Sequence, residues 1–118
     1  MPSRRIRALF VCSRNRWRSP TAEQIWRDSD GVDVRARGTS PKAERVITED
    51  DVRWSDVIFV MERRHRVHVL DRFRDIVDRD RVHVLDIPDE YKFMDPELID
   101  ELRSKAGWIL DRMSALSD

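Results

Sequence analysis

The sequence predicts an α/β protein, a three-layer αβα arrangement around a four-stranded parallel sheet. Three observations carry that expectation. Four short runs at 7–11, 32–36, 57–61 and 81–85 have strand character, and each is followed by a segment with helical spacing. The run at 57–61 is almost wholly apolar, as a central strand covered on both faces requires. Gly and Pro number only 3 and 5 and fall between the patterned segments. Strict alternation of strand and helix implies parallel strands joined by right-handed crossovers, with helices on both faces.

The elements follow in order. Arg7-Ala-Leu-Phe-Val11 reads as a buried first strand, and a polar loop leads from it to Ser19-Pro20. Serine before proline is a good N-cap with proline at the first helical position, so a helix runs from there to about Asp28 with Ala22, Ile25 and Trp26 inward. The second strand, Val32 to Ala36, alternates with period two and ends at Gly38-Thr39-Ser40-Pro41. Thr48 with Asp51 three residues on has capping-box spacing and opens a short helix carrying Val52 and Trp54. After the third strand, Val67, Leu70 and Phe73 form one helical stripe, and 81–85 is the fourth strand. Asp95-Pro96 opens a last helix whose apolar face runs from Leu98 to Met113.

Length and composition bound the function. With 118 residues, the expectation is one domain spanning 1–118, with a real hydrophobic core. No stretch approaches a membrane span, the N-terminal apolar run is too short for a signal peptide, and a soluble cytoplasmic protein is expected. One cysteine excludes an intrachain disulfide and a cysteine-cluster metal site. Lys plus Arg equals Asp plus Glu at 23 each, which argues against a dedicated nucleic-acid binder. The charge is nevertheless uneven: residues 1–18 hold six arginines and no acid, while 86–101 hold seven acids against Lys92.

In an open parallel sheet the ligand sits beyond the carboxyl ends of the strands, so the loop after the first strand is the place to look. It reads Cys12-Ser13-Arg14-Asn15-Arg16-Trp17-Arg18-Ser19. A cysteine leaving a buried strand just before a helix begins is placed where loop amides and the helix N-terminus stabilise a thiolate. Arg18 can offer a planar fork to two phosphoryl oxygens, and Ser19 a hydroxyl to the thiolate. Together these specify attack of sulfur on phosphorus. Arginine makes up 20 of the 118 residues, so Cys-x5-Arg alone says little; Arg-Ser-Pro at that offset, in strand–loop–helix context, says much more.

Cys-x5-Arg-Ser-Pro after a first strand, Gly38-Thr39-Ser40 after a second, and Val57-Ile-Phe-Val-Met61-Glu62 as a third resemble the low-molecular-weight protein tyrosine phosphatases. The resemblance covers nearly the whole chain in order. It implies sheet order 2-1-3-4, Cys12 as nucleophile and Arg18 as phosphate ligand, with Asn15 and Ser19 holding the loop and thiolate. Ser13, Arg14, Arg16 and Trp17 complete the substrate-binding loop. Two departures stand out: Arg14 where the family loop usually has glycine, and Trp17 where it often has a second cysteine. The segment between Thr39 and Val57 is also shorter than in the family.

Thiolate displacement needs a proton donor for the leaving oxygen and a base for water, and one carboxyl can serve both. The family carries it on an Asp-Pro-Tyr loop after the fourth strand. Here Asp89-Glu90-Tyr91 keeps the aspartate and tyrosine, whereas Asp95-Pro96 keeps the dipeptide but also reads as a helix cap. Asp89 is favoured, with Asp95 the alternative. Tyr91, the only tyrosine, and Trp17 are candidate aromatic walls. His65 and His68, spaced i, i+3 on a helix with no cysteine or third histidine to support them, read as surface or partly buried residues, His83 as a structural strand residue, and Trp26, Trp54 and Trp108 as packing.

The function expected is therefore a metal-independent, cofactor-free phosphatase acting through a phosphocysteine on phosphotyrosine or a related aryl phosphate. Its partner would be a phosphorylated protein or small aryl phosphate. The alternatives are a non-catalytic phosphate- or phosphoprotein-binding module on the same fold, and a thiol-dependent arsenate reductase, which a single cysteine disfavours. A phosphocarrier cysteine would not need Arg18 or an acid loop.

Overall fold

The computed structural model describes residues 5–116. Four parallel strands, β1 (Ile6–Cys12), β2 (Val32–Gly38), β3 (Val57–Val60) and β4 (Val82–Val84), form one sheet in the order β2-β1-β3-β4. Five helices accompany them: α1 (Arg18–Trp26), α2 (Glu49–Trp54), α3 (Arg63–Arg72), α4 (Pro96–Leu102) and α5 (Trp108–Leu116). The expected architecture and strand order are both present.

Period-two alternation divides the core into two layers. Ile6, Ala8, Phe10 and Cys12 of β1 join Val57, Phe59 and Met61 on one face, packed against Ala22 and Trp26 of α1 and Leu98, Leu102 and Leu110 of the last helices. Leu9 and Val11 join Ile58 and Val60 on the other face, under Val52, Val69 and Phe73. Phe10 stacks between Trp26 and Phe59, with ring centroids 5.2 and 5.0 Å away. β1 is thus gripped on both faces and both edges, so its carboxyl end is a rigid place to hang a site.

Several expectations need correction. The first helix begins at Arg18 with Trp17 as its cap, not at Ser19, because the Ser19 hydroxyl is engaged with Cys12 and Asn15. Pro20 still lies in the first turn, where its missing N–H costs nothing. On α3 the inward face is His65 and Val69, continued by Phe73, while Val67 is exposed. Leu70 and Phe73 of the expected stripe do pack on the core, so the correction is confined to Val67, whose place is taken by His65 and Val69. The fourth strand is shorter than 81–85, since a 3-10 turn occupies Arg79–Arg81.

The last helix is also not continuous: a π-helical turn at Arg103–Gly107 separates α4 from α5. Its buried residues Leu98, Leu102, Ala106 and Leu110 recur every four positions. In a pure α-helix that spacing drifts by about 40° per step, so the stripe would wind off the core. The wider π turn absorbs the drift and keeps all four inward. It also leaves Trp108 58% exposed, against the expectation that it packs.

Candidate active site

Cys12 is the last residue of β1, and its buried Sγ lies 3.0 Å from Ser19 Oγ. Between them the chain turns sharply, helped by Asn15 at φ 56°, a left-handed conformation that asparagine tolerates better than most residues. Asn15 Nδ2 donates to Ser19 Oγ at 2.8 Å, and its Oδ1 accepts from Arg45 Nε at 3.0 Å. A guanidinium only donates, so Arg45 fixes which end of the amide is oxygen. Ser19 Oγ thus accepts an N–H from Asn15, and its own proton has two acceptors in reach, Cys12 Sγ at 3.0 Å and the Arg37 carbonyl at 3.3 Å. Arg45 is itself held by both oxygens of Glu23, at 2.9 and 3.1 Å.

Arg18 is 2% exposed. A buried guanidinium without a partner costs several kcal/mol, and here Nη1 donates to Glu62 Oε2 at 2.6 Å and to the Ile87 carbonyl at 2.9 Å. Both bonds come from one terminal nitrogen. Nε lies 3.7 Å from Asp89 Oδ1, an ion pair too long for a hydrogen bond. Partial burial pushes the Glu62 carboxyl up, but the hydrogen bonds and charges of Arg64 and Arg18 outweigh it and hold it at about 2.

A second segment, 38–47, clasps the loop from outside. The carbonyls of Cys12, Ser13 and Arg14 accept the N–H groups of Thr39, Ser40 and Glu44 at 2.9, 2.9 and 3.2 Å. The negative ends of those peptides are thereby turned away from the pocket. The approach requires Gly38: a Cβ there would stand 2.5 Å from Ala43 Cβ and 2.6 Å from the Ser13 carbonyl oxygen. Gly38→Ala is expected to cost about 1–3 kcal/mol by overpacking, read from the urea midpoint, and to weaken phosphate binding. A variant as stable as the parent would show that the approach is looser than described.

Cys12, Ser13, Arg14, Arg16, Trp17, Arg18 and Asp89 line one cavity of about 220 Å³. Trp17 is 37% exposed at its rim, with the Arg16 guanidinium 5.3 Å from its ring centre. Asn15 and Ser19 are buried beneath the loop as its scaffold. Asp89, at 52% side-chain exposure, stands at the mouth. Tyr91 and Asp95 do not line this cavity. Tyr91 packs against the core and faces a separate groove with Glu97, Asp100 and Glu101. Asp95 caps α4, its Oδ1 accepting the Glu97 N–H at 2.9 Å. Among the described residues no cluster of His, Cys, Asp or Glu could hold a metal ion, and no helix is long and apolar enough to cross a membrane.

Solved structures with a similar fold exist. The YwlE arginine phosphatase from Geobacillus stearothermophilus matches over 93% of this chain and 91% of its own, with 20% identity and a TM-score of 0.67. SP-PTP, a low-molecular-weight protein tyrosine phosphatase from Streptococcus pyogenes, matches over 92% and 93%, with 19% identity and a TM-score of 0.70. The tyrosine phosphatase Wzb from Escherichia coli K30, in complex with sulphate, matches over 96% and 99%, with 17% identity and a TM-score of 0.71. The chain has the low-molecular-weight tyrosine phosphatase fold. No protein-family model matches the sequence, and no curated protein matches it significantly.

Sequence reasoning missed four supporting residues of this phosphatase fold. In the sequence Glu62 reads only as the end of a strand motif, and Glu23 and Arg45 carry no local signal at all. The sequence reads His65 as a surface or partly buried residue, yet it is 1% exposed and bonded to Ser13 in the loop. The spacing Glu62-x-x-His65 just after an apolar strand could have flagged it as a helix-start pair reaching toward the strand end.

Proposed function

We infer that the protein is a cysteine-dependent phosphatase that hydrolyses phosphotyrosine or related aryl phosphate monoesters through a phosphocysteine intermediate, without a metal ion. The observation that carries this reading is the convergence of Cys12, Arg18 and Asp89 on one small cavity. Each supplies a different requirement of phosphoryl transfer: a nucleophile, a charged fork and a proton carrier.

The steps follow from the geometry. The substrate phosphoryl group enters with two oxygens on the Nε–Nη2 edge of Arg18, since Nη1 is already committed to Glu62 and Ile87. Cys12 Sγ, as thiolate, attacks phosphorus in line while the bond to the ester oxygen breaks. Asp89, close enough to Arg18 Nε to face the same phosphoryl group, gives its proton to the departing phenolate oxygen. Its carboxylate then takes a proton from water, whose oxygen attacks the phosphocysteine; inorganic phosphate leaves and the thiolate returns. Trp17 supplies an apolar wall for an aryl ring at the rim.

The proton carrier is assigned to Asp89 rather than Asp95, whose carboxylate already caps a helix. The physiological substrate in this reading is a phosphorylated protein or a small aryl phosphate. Arg14 and Arg16, both exposed beside the cavity, favour substrates with acidic neighbours. For an acidic phosphopeptide, kcat/KM is expected to fall as salt rises from 50 to about 500 mM while a neutral aryl phosphate changes much less; equal salt dependence for both would remove the rim arginines from recognition.

The testing experiment is steady-state hydrolysis of a small aryl phosphate at mildly acidic pH with chelator present and Cys12→Ser as control. Turnover that ignores the chelator and vanishes in the variant supports the reading. Absence of turnover in the parent, with oxyanion still bound, replaces it by a non-catalytic phosphate-binding module.

A further inference from the structure

Ser13 follows Cys12 and lines the same cavity, and a histidine stands behind it. Both ring nitrogens of His65 are engaged: Nδ1 accepts the Glu62 N–H at 3.0 Å, and Nε2 lies 2.8 Å from Ser13 Oγ. A backbone amide can only donate, so Nδ1 is the bare nitrogen and Nε2 carries the proton. Burial first, then the charges of Arg18 and Arg64, hold the His65 pKa down at about 4, so the ring stays neutral in mildly acidic and neutral solution. The polarity of the contact is thereby set, with imidazole donating and the serine oxygen accepting. A hydroxyl that accepts from behind still has one proton to give, and Ser13 borders the cavity that holds Cys12 Sγ.

We propose that His65 is a positioning residue that locks Ser13 as a hydrogen-bond donor into the anion pocket, beside the hydroxyl of Ser19. The assignment rests on the reading of Cys12 as the thiolate of a phosphate site. Three features set His65 apart from ordinary packing: complete burial, a fixed tautomer, and a partner adjacent to the reactive sulfur. Its own element places Glu62, Arg64 and His68 near the ring, and α1 contributes Arg18. Of these, Glu62 fixes the tautomer through its backbone, and the arginines oppose a second proton on the ring.

The test uses the only cysteine of the chain as its own reporter. The pH dependence of Cys12 alkylation by iodoacetamide, and its protection by inorganic phosphate, are measured in Ser13→Ala, His65→Asn, His65→Gln and the double variant Ser13→Ala/His65→Asn. Asparagine keeps an acceptor where Nδ1 stands and so preserves the contact to Glu62, but nothing reaches the place of Nε2. Glutamine puts an N–H near that place and loses the contact to Glu62. Ser13→Ala and His65→Asn are each expected to lower the acid dissociation constant of Cys12 about tenfold, as for loss of one hydrogen bond to a charged group, and to weaken phosphate protection. His65→Gln is expected to restore most of both, and the double variant to be no worse than either single one.

Wild-type titration in Ser13→Ala overturns the proposal. So does the opposite histidine ranking, with asparagine harmless and glutamine damaging, because that is the signature of a helix cap alone. If His65→Asn does not fold, Ser13→Ala and His65→Gln still decide, since the proposal requires the first to shift Cys12 and the second to leave it near wild type. The readout needs no turnover. A protein that hydrolyses nothing but whose Cys12 responds in this way loses the phosphatase reading and retains the role of His65.

Discussion

Cys12→Ser is expected to abolish hydrolysis of aryl phosphates, a loss of at least about a thousandfold in kcat, as for other residues that act as the nucleophile, while phosphate or vanadate still binds. The change swaps one atom. Arg18 keeps its bonds to Glu62 and Ile87, and the carbonyls of residues 12–14 stay tied to the 38–44 segment. A serine hydroxyl at this point is not ionised and has no base beside it: its neighbour is Ser19 Oγ, another hydroxyl. Binding is therefore preserved, and a thiolate nucleophile is replaced by a neutral hydroxyl of far lower reactivity. Thermal unfolding with and without vanadate reads the first property, and product release reads the second. Activity near wild type would move the nucleophile away from Cys12.

The second large effect concerns the carboxyl. Asp89→Asn is expected to slow turnover by about 10²- to 10⁴-fold, the usual contribution of a general acid–base group. The loss should be greatest for leaving groups of high pKa and smallest for p-nitrophenol, whose oxygen departs without help. Asp95→Asn is expected to change kcat little. Asparagine serves as well as aspartate at an N-cap, so the bond to the Glu97 N–H survives and stability falls only slightly. A comparison of the two variants on phenyl phosphate and p-nitrophenyl phosphate decides the assignment, and the reverse ranking would transfer the role to Asp95.

Much of the fold could be read from local pattern because the pattern and the physics coincide. The apolar strand at 57–60 and the capping box of Thr48 and Asp51 reappear almost residue for residue. The departures have one common origin, the override of local spacing by tertiary packing. Leu98 to Leu110 look like an ordinary amphipathic helix, and only the sheet beneath them demands a repeat of four and hence a π turn. The candidate-site side chains from Cys12 to Ser19 are legible because they lie within one loop. Their supports are not, because Glu23 on α1, Arg45 in the 38–47 segment, and Glu62 with His65 at the start of α3 come from three other places in the chain, and nothing in the sequence names their partners. Tyr91 illustrates the converse: proximity in sequence to Asp89 did not bring it into the same cavity.

The clasp between residues 38–47 and the loop after β1 bears on how the molecule acquires its site. Thr39 bonds Cys12, Ser40 bonds Ser13, and Arg45 bonds Asn15, each across more than 25 positions of chain. Such contacts form only after long loops have closed, which makes them late events in assembly. A partly folded chain with β1 and α1 in place would already own Cys12 and Arg18 without the outward-turned carbonyls or the fixed Asn15. Local opening of one exposed segment would likewise dismantle the pocket while most of the sheet endures. Hydrogen exchange at the Thr39 and Ser40 amides would report the integrity of the candidate site more faithfully than any measure of global unfolding.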